Sequence, residues 1–121
     1  MKALTVKAPW AWAIIHAAKD VENRTWSTAY RGPLAIHAGV VCTRTYHTWA
    51  AGWMAAIDVD TPPLDELAKG CVIGTVEVVD CVRDSGRRWG MSGNWHWILR
   101  DPKPCQPRFV RGSLSLWTLL D

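Results

Sequence analysis

The sequence predicts an α+β fold, with five to seven mixed strands and two main helices packed outside them. Three observations predict it. Short apolar runs with strand-like alternation recur from Ala3 to Leu119. Two longer stretches, Trp10 to Ala18 and Arg44 to about Ile57, carry apolar residues at helical spacing instead. The length, 121 residues with 49% hydrophobic and 21% charged, suits one domain spanning residues 1–121 with a real core.

Ala3 to Val6 reads as the first strand. Pro9 then sits in the first turn of a helix, where its missing N–H costs nothing, and Trp10, Ile14 and Ala17 share one face. Lys19 falls at that helix's C-terminus, where the macrodipole favours a cation. Leu34 to Ala38 is a strand with Leu34 and Ile36 on one face and His37 on the other. Thr43 is a plausible N-cap for the second helix, whose stripe of Tyr46, Trp49, Ala50, Trp53 and Ile57 reads as core. Thr61-Pro62-Pro63 breaks the chain, and Leu64 to Lys69 forms one or two turns closed by Gly70.

Cys71 to Val82 is the strongest strand. Val72, Val76, Val78 and Val82 are expected on one face, and Ile73, Thr75, Glu77 and Val79 on the other. Glu77 is the odd residue there: a carboxylate in a mostly apolar strand must be paired, protonated or lining a cleft. Asp84 to Asn94 reads either as a mobile loop whose Arg87, Arg88 and Trp89 could touch phosphate and stack on a base, or as a solvated loop with its tryptophan tucked back onto the body. Trp95 to Leu99 is a strand, and Asp101 to Pro107, with three prolines, is a connector. Phe109-Val110 and Leu114 to Leu119 are the closing strands.

Reactive side chains concentrate in Lys19-Asp20-Val21-Glu22-Asn23-Arg24-Thr25-Trp26. If extended, this stretch points Glu22, Arg24 and Trp26 one way and Val21, Asn23 and Thr25 the other. An acid, a guanidinium and an indole on one face, with Lys19 entering from the helix end, suit an anionic, ring-bearing ligand such as a nucleotide. A surface ion pair beside a core tryptophan would read the same way.

Pro9-Trp10, Lys19, Glu22-Asn23-Arg24 with Trp26, Arg31-Gly32-Pro33 and Ile36-His37-Ala38 together resemble the ASCH domain family of the PUA-like superfamily. The match resumes at Gly70 to Gly74 with Glu77, and again from Arg111 to Trp117, while Val40 to Lys69 carries no motif of the family. The resemblance implies a PUA-like β-barrel. It also implies that RNA, DNA or a nucleotide, modified bases included, binds in a cleft floored by the Lys-x-x-Glu-x-Arg stretch. Lys19, Arg24 and Arg31 would meet phosphate or a base edge, Trp26 would wall the pocket, Glu22 would accept from a base or orient Arg24, and His37 and Glu77 stand nearby. Small acetylcytidine amidohydrolases of this family use a lysine and a threonine three residues later. Here the lysine position is Lys19 but the threonine position holds Glu22, so hydrolysis of an acylated nucleoside or of RNA, by Lys19 and Glu22, is the alternative. Pro-Trp, Glu-x-Arg-x-Trp and a terminal Trp-x-Leu look more like the ASCH versions of eukaryotic transcription coactivators.

The bulk properties narrow the classes. A net charge of +3 and a pI near 8.8 fit a local nucleic-acid contact, not a polyanion-coating protein. No apolar run approaches the roughly 20 residues of a membrane span. Lys7, Pro9 and His16 interrupt anything resembling a signal peptide, so a cytoplasmic protein with reduced thiols is expected. The four cysteines and four histidines have no metal-ligand spacing, and there is no Walker loop or dinucleotide fingerprint, so no metal or cofactor is expected.

Overall fold

A computed structural model describes residues 1–120. Six strands and two helices follow in the order β1 (Lys2–Val6), α1 (Ala8–His16), β2 (Val21–Arg24), β3 (Gly32–Ala38), α2 (Arg44–Ala55), β4 (Cys71–Arg83), β5 (Trp95–Phe109) and β6 (Leu116–Thr118), with a 3-10 turn at Leu64–Glu66 before β4. The strands form one curled sheet, a half-barrel, in the order β2-β5-β4-β3-β1-β6. β1 and β3 run parallel, and every other pairing is antiparallel. This is the α+β, PUA-like architecture that the sequence predicts.

α1 begins at Ala8 with Pro9 in its first turn. It ends at His16, short of the expected Ala18, because Ala18 adopts a left-handed conformation with φ 58° and turns the chain away. Lys19 is therefore beyond the helix. Its amide bonds back to the Ala13 carbonyl at 3.1 Å, and its side chain is freed from the helix surface. The inner face of α1 packs Ile14 and Ile15 onto the sheet. A side chain at Gly74 of β4 would come within 2.7 Å of Ile15 Cδ1 and 2.5 Å of the Lys103 carbonyl, so glycine there lets the helix sit close.

α2 is capped as expected, Thr43 Oγ1 accepting from the Tyr46 amide at 3.1 Å. Of its apolar stripe only Ala50 joins Met54 in full burial; Trp53 is half-buried and Trp49 is half-exposed. The stripe is thus core at its middle, with Tyr46, Trp53 and Ile57 half-buried against it.

Two expectations for the long hairpin change. Extra residues in β4, Ile73 against β3 and Val79 against β5, break its two-residue alternation. Val72 consequently joins Ala3 and Ala35 in a small cluster under Trp117, while Val76 and Val78 belong to the main core. The proline-rich segment Asp101 to Pro107 is the outer half of β5, not a connector, and Phe109 is its last residue. β2 covers only Trp95 to Ile98 of β5, so beyond Leu99 the strand is a sheet edge where a missing N–H can face away from the ladder.

Candidate nucleic-acid interface

The C-terminal end of β1, Trp10 of α1, Glu22 to Arg24 of β2, the segment after β3 and the first turns of α2 line a cleft of about 610 Å³. Its floor is charged. Glu22, almost fully buried, receives Lys19 Nζ on Oε1 at 3.2 Å and Arg24 Nε on Oε2 at 2.9 Å. Arg24 also donates through Nη2 to the Thr5 carbonyl at 2.8 Å, and Lys19 donates to the Val21 carbonyl. Each carboxylate oxygen thereby accepts from one cation, and the guanidinium is held by two elements where it lines the cleft.

Lys19 is 2% exposed, so burial lowers its pKa from the usual 10.5, with the Glu22 carboxylate opposing the shift. Its ammonium also lies 5.5 Å from the Trp10 ring, which partly replaces lost water. The walls are aromatic. Trp10 Nε1 donates to Tyr46 Oη at 2.8 Å, and Trp49 meets Trp10 edge-on at 5.8 Å and Tyr46 at 5.5 Å. Burial pushes the Tyr46 phenol above its usual range, so it stays protonated and keeps a donor for the cleft. Trp26 forms the opposite wall, held edge-on against the buried Trp97 at 4.8 Å. Lys7 stands at the rim, 5.3 Å from the Tyr46 ring.

A sequence model of the ASCH domain matches residues 4–104, most of the chain. The chain belongs to the ASCH domain family. That family is linked to RNA binding. Human activating signal cointegrator 1 is 31% identical over 133 aligned positions that cover 96% of this chain and 22% of the relative. Its mouse counterpart is 24% identical with the same coverage. The chain therefore spans about a fifth of the length of these curated relatives. No helix among the described residues is long and apolar enough to cross a membrane.

The ASCH cleft gathers four of the residues singled out in the sequence, Lys19, Glu22, Arg24 and Trp26. It does so differently from a simple extended strand. β2 ends at Arg24 and the chain bends at Thr25 and Trp26, so Asn23 and Thr25 line the cleft beside Glu22 and Arg24. The other six candidates lie elsewhere. Arg31 is exposed and pairs with Asp80 at 3.7 Å. Half-buried Glu77 lies on β4 opposite Pro33 and Arg100 and does not line the cleft. His37 is sealed, bonding Thr5 Oγ1 at 3.2 Å and the Val110 carbonyl at 2.8 Å.

The expected mobile flap is bolted down. Trp89 is buried and stacks on Trp53 with centroids 5.8 Å apart, while Arg87 is spent on Asp20 at 2.6 Å. Arg88 is exposed and does not line the cleft. The Asn23 amide clamps the loop through the Trp89 carbonyl at 3.0 Å and the Met91 amide at 2.7 Å. His96 holds it from beneath, bonding Ser85 Oγ at 2.7 Å and the Met91 carbonyl at 2.8 Å. What this loop offers the cleft is Met91 and Asn94.

Sequence reasoning missed Lys7, Tyr46 and Trp49 as cleft residues. Tyr46 and Trp49 have the helical spacing of a core stripe, and periodicity alone does not separate a core face from a cleft wall. Trp10 was visible only through the Pro-Trp pair.

Proposed function

We propose that this ASCH domain binds single-stranded RNA by receiving one nucleotide in the cleft. The observation that carries the reading is that a preorganised guanidinium, Arg24, and a half-exposed indole, Trp49, face the same hollow. Indoles and phenols stack on any base, worth roughly 1–3 kcal/mol each, and Arg24 and Lys7 supply positive charge for phosphate. Glu22 acts as the positioning residue for both cations, taking Lys19 on one oxygen and Arg24 on the other. One observation speaks for the hydrolytic reading: Lys19, whose pKa burial lowers, stands 3.2 Å from the Glu22 carboxylate in the cleft floor.

Fluorescence anisotropy with a short labelled RNA tests the proposal on wild type, Arg24→Ala and Trp49→Ala. Each substitution is expected to weaken binding roughly tenfold while the protein stays folded. Unchanged affinity in both variants would remove the cleft from the account. Turnover of acetylcytidine or cleavage of the RNA by the wild type would favour the hydrolase instead.

A further inference from the structure

Beside the cleft lies a second hollow of about 430 Å³, lined by Thr5, His37, Val40 and the segment Arg111 to Leu114. Thr5 and Val40 line both cavities. Thr5 is the partition between them. Its carbonyl accepts from Arg24 at 2.8 Å, and its hydroxyl meets His37 Nδ1 at 3.2 Å and Trp117 Nε1 at 3.1 Å.

With a neutral imidazole the hydrogen-bond chain has one consistent polarity. The Val110 carbonyl can only accept, so His37 Nε2 carries the proton and Nδ1 is an acceptor. The Thr5 hydroxyl then donates to Nδ1 and accepts from the Trp117 indole. Every member is satisfied, so His37 holds the wall and does no chemistry. Gly112 seats the following segment on that wall: a Cβ there would come within 2.5 Å of Thr5 Oγ1 and 2.7 Å of the His37 ring.

That seat presents a specific surface. Leu114 is 93% exposed and Val40 70%, an apolar shelf on a firmly held segment. Arg111 stands exposed beside them, with no ion-pair partner among the described residues. Exposed leucine with a free cation, continuous with an aromatic and cationic cleft, fits the next unit of a phosphodiester chain.

We propose that the site is bipartite. It takes two consecutive nucleotides of a single strand, the first in the main cleft and the second with its base on the Val40–Leu114 shelf and its phosphate on Arg111. This rests on the cleft-binding reading and extends it, because a mononucleotide could not reach both hollows.

The test compares a mononucleotide with a short single-stranded RNA, by calorimetry and by anisotropy, for wild type, Arg111→Ala and Leu114→Asp. Both positions are exposed, and unchanged melting temperatures check that the fold survives. Arg111→Ala is expected to weaken RNA binding roughly fivefold, to flatten the salt dependence by about one counterion, and to leave mononucleotide affinity unchanged. Leu114→Asp is expected to weaken RNA binding further, again sparing the mononucleotide. RNA affinity unchanged in both variants would overturn the second hollow while leaving the main cleft standing. Equal losses for RNA and mononucleotide would overturn the division into two subsites. Failure of the wild type to bind either ligand would overturn both readings together.

Discussion

Two sets of ion pairs in this molecule both join basic side chains to carboxylates and differ in almost everything else that matters. Lys19, Glu22 and Arg24 form a cluster whose lysine and glutamate side chains are 1% and 8% exposed. Arg87–Asp20 and Arg31–Asp80 lie in solvent, with side chains 37% to 57% exposed. A pair in water gains little, because the solvent screens it and two long side chains must be immobilised. A buried pair is strongly interdependent, because each charge depends on the other for the solvation it gave up. The cleft owes its fixed guanidinium to the second kind. The loop after β4 owes Arg87 to the first.

The largest expected effect comes from removing the acid that the buried cluster shares. Glu22→Ala leaves the Lys19 ammonium buried with only the Val21 carbonyl and the Trp10 ring, and frees Arg24 from its Nε contact. Destabilisation of about 3–5 kcal/mol is expected in denaturant unfolding. A loss under 1 kcal/mol would mean that the cluster behaves like the surface pairs.

The pH response of Lys19 separates the two regions next. Its folded pKa is lowered by burial, so between that value and 10.5 the unfolded chain binds more protons than the folded one. The cost of burying the charge is full below the folded value and is relieved as pH rises through it. Stability of the wild type relative to Lys19→Met should therefore increase from neutral pH toward pH 10.5. Taking the difference between the two proteins cancels the opposing titration of Tyr46, whose pKa burial raises. A flat difference would show that the amine is not desolvated.

The smallest effect belongs to the exposed pair. A double-mutant cycle on Arg87→Ala and Asp20→Ala should return a coupling of about 0.2–1 kcal/mol, shrinking with added salt. A salt-insensitive coupling above 2 kcal/mol would erase the distinction between the clusters.

Much of the fold was legible before any coordinates. Pro9 started α1, Thr43 capped α2, and the valine-rich run from Cys71 became β4, because each rests on interactions within a few residues. Legibility failed where a neighbour decides. The prolines of β5 look like a connector until the shortness of β2 makes that half of the strand an edge. The face assignment along β4 failed because bulges, set by pairing with β3 and β5, are invisible in one strand's pattern.

The candidate site divides in the same way. The Lys-x-x-Glu-x-Arg spacing determined by itself that two cations and an acid would lie close together, since Glu22 is only three residues from Lys19 and two from Arg24. Only the tertiary structure decided that Arg24, and not Arg31, Arg87 or Arg88, faces the cleft. It also turned Trp49 outward as a wall and tucked Trp89 inward as core. The reason is physical: an indole or a guanidinium serves equally well in a core, an ion pair or a binding wall. Which of these it becomes depends on what distant segments place against it.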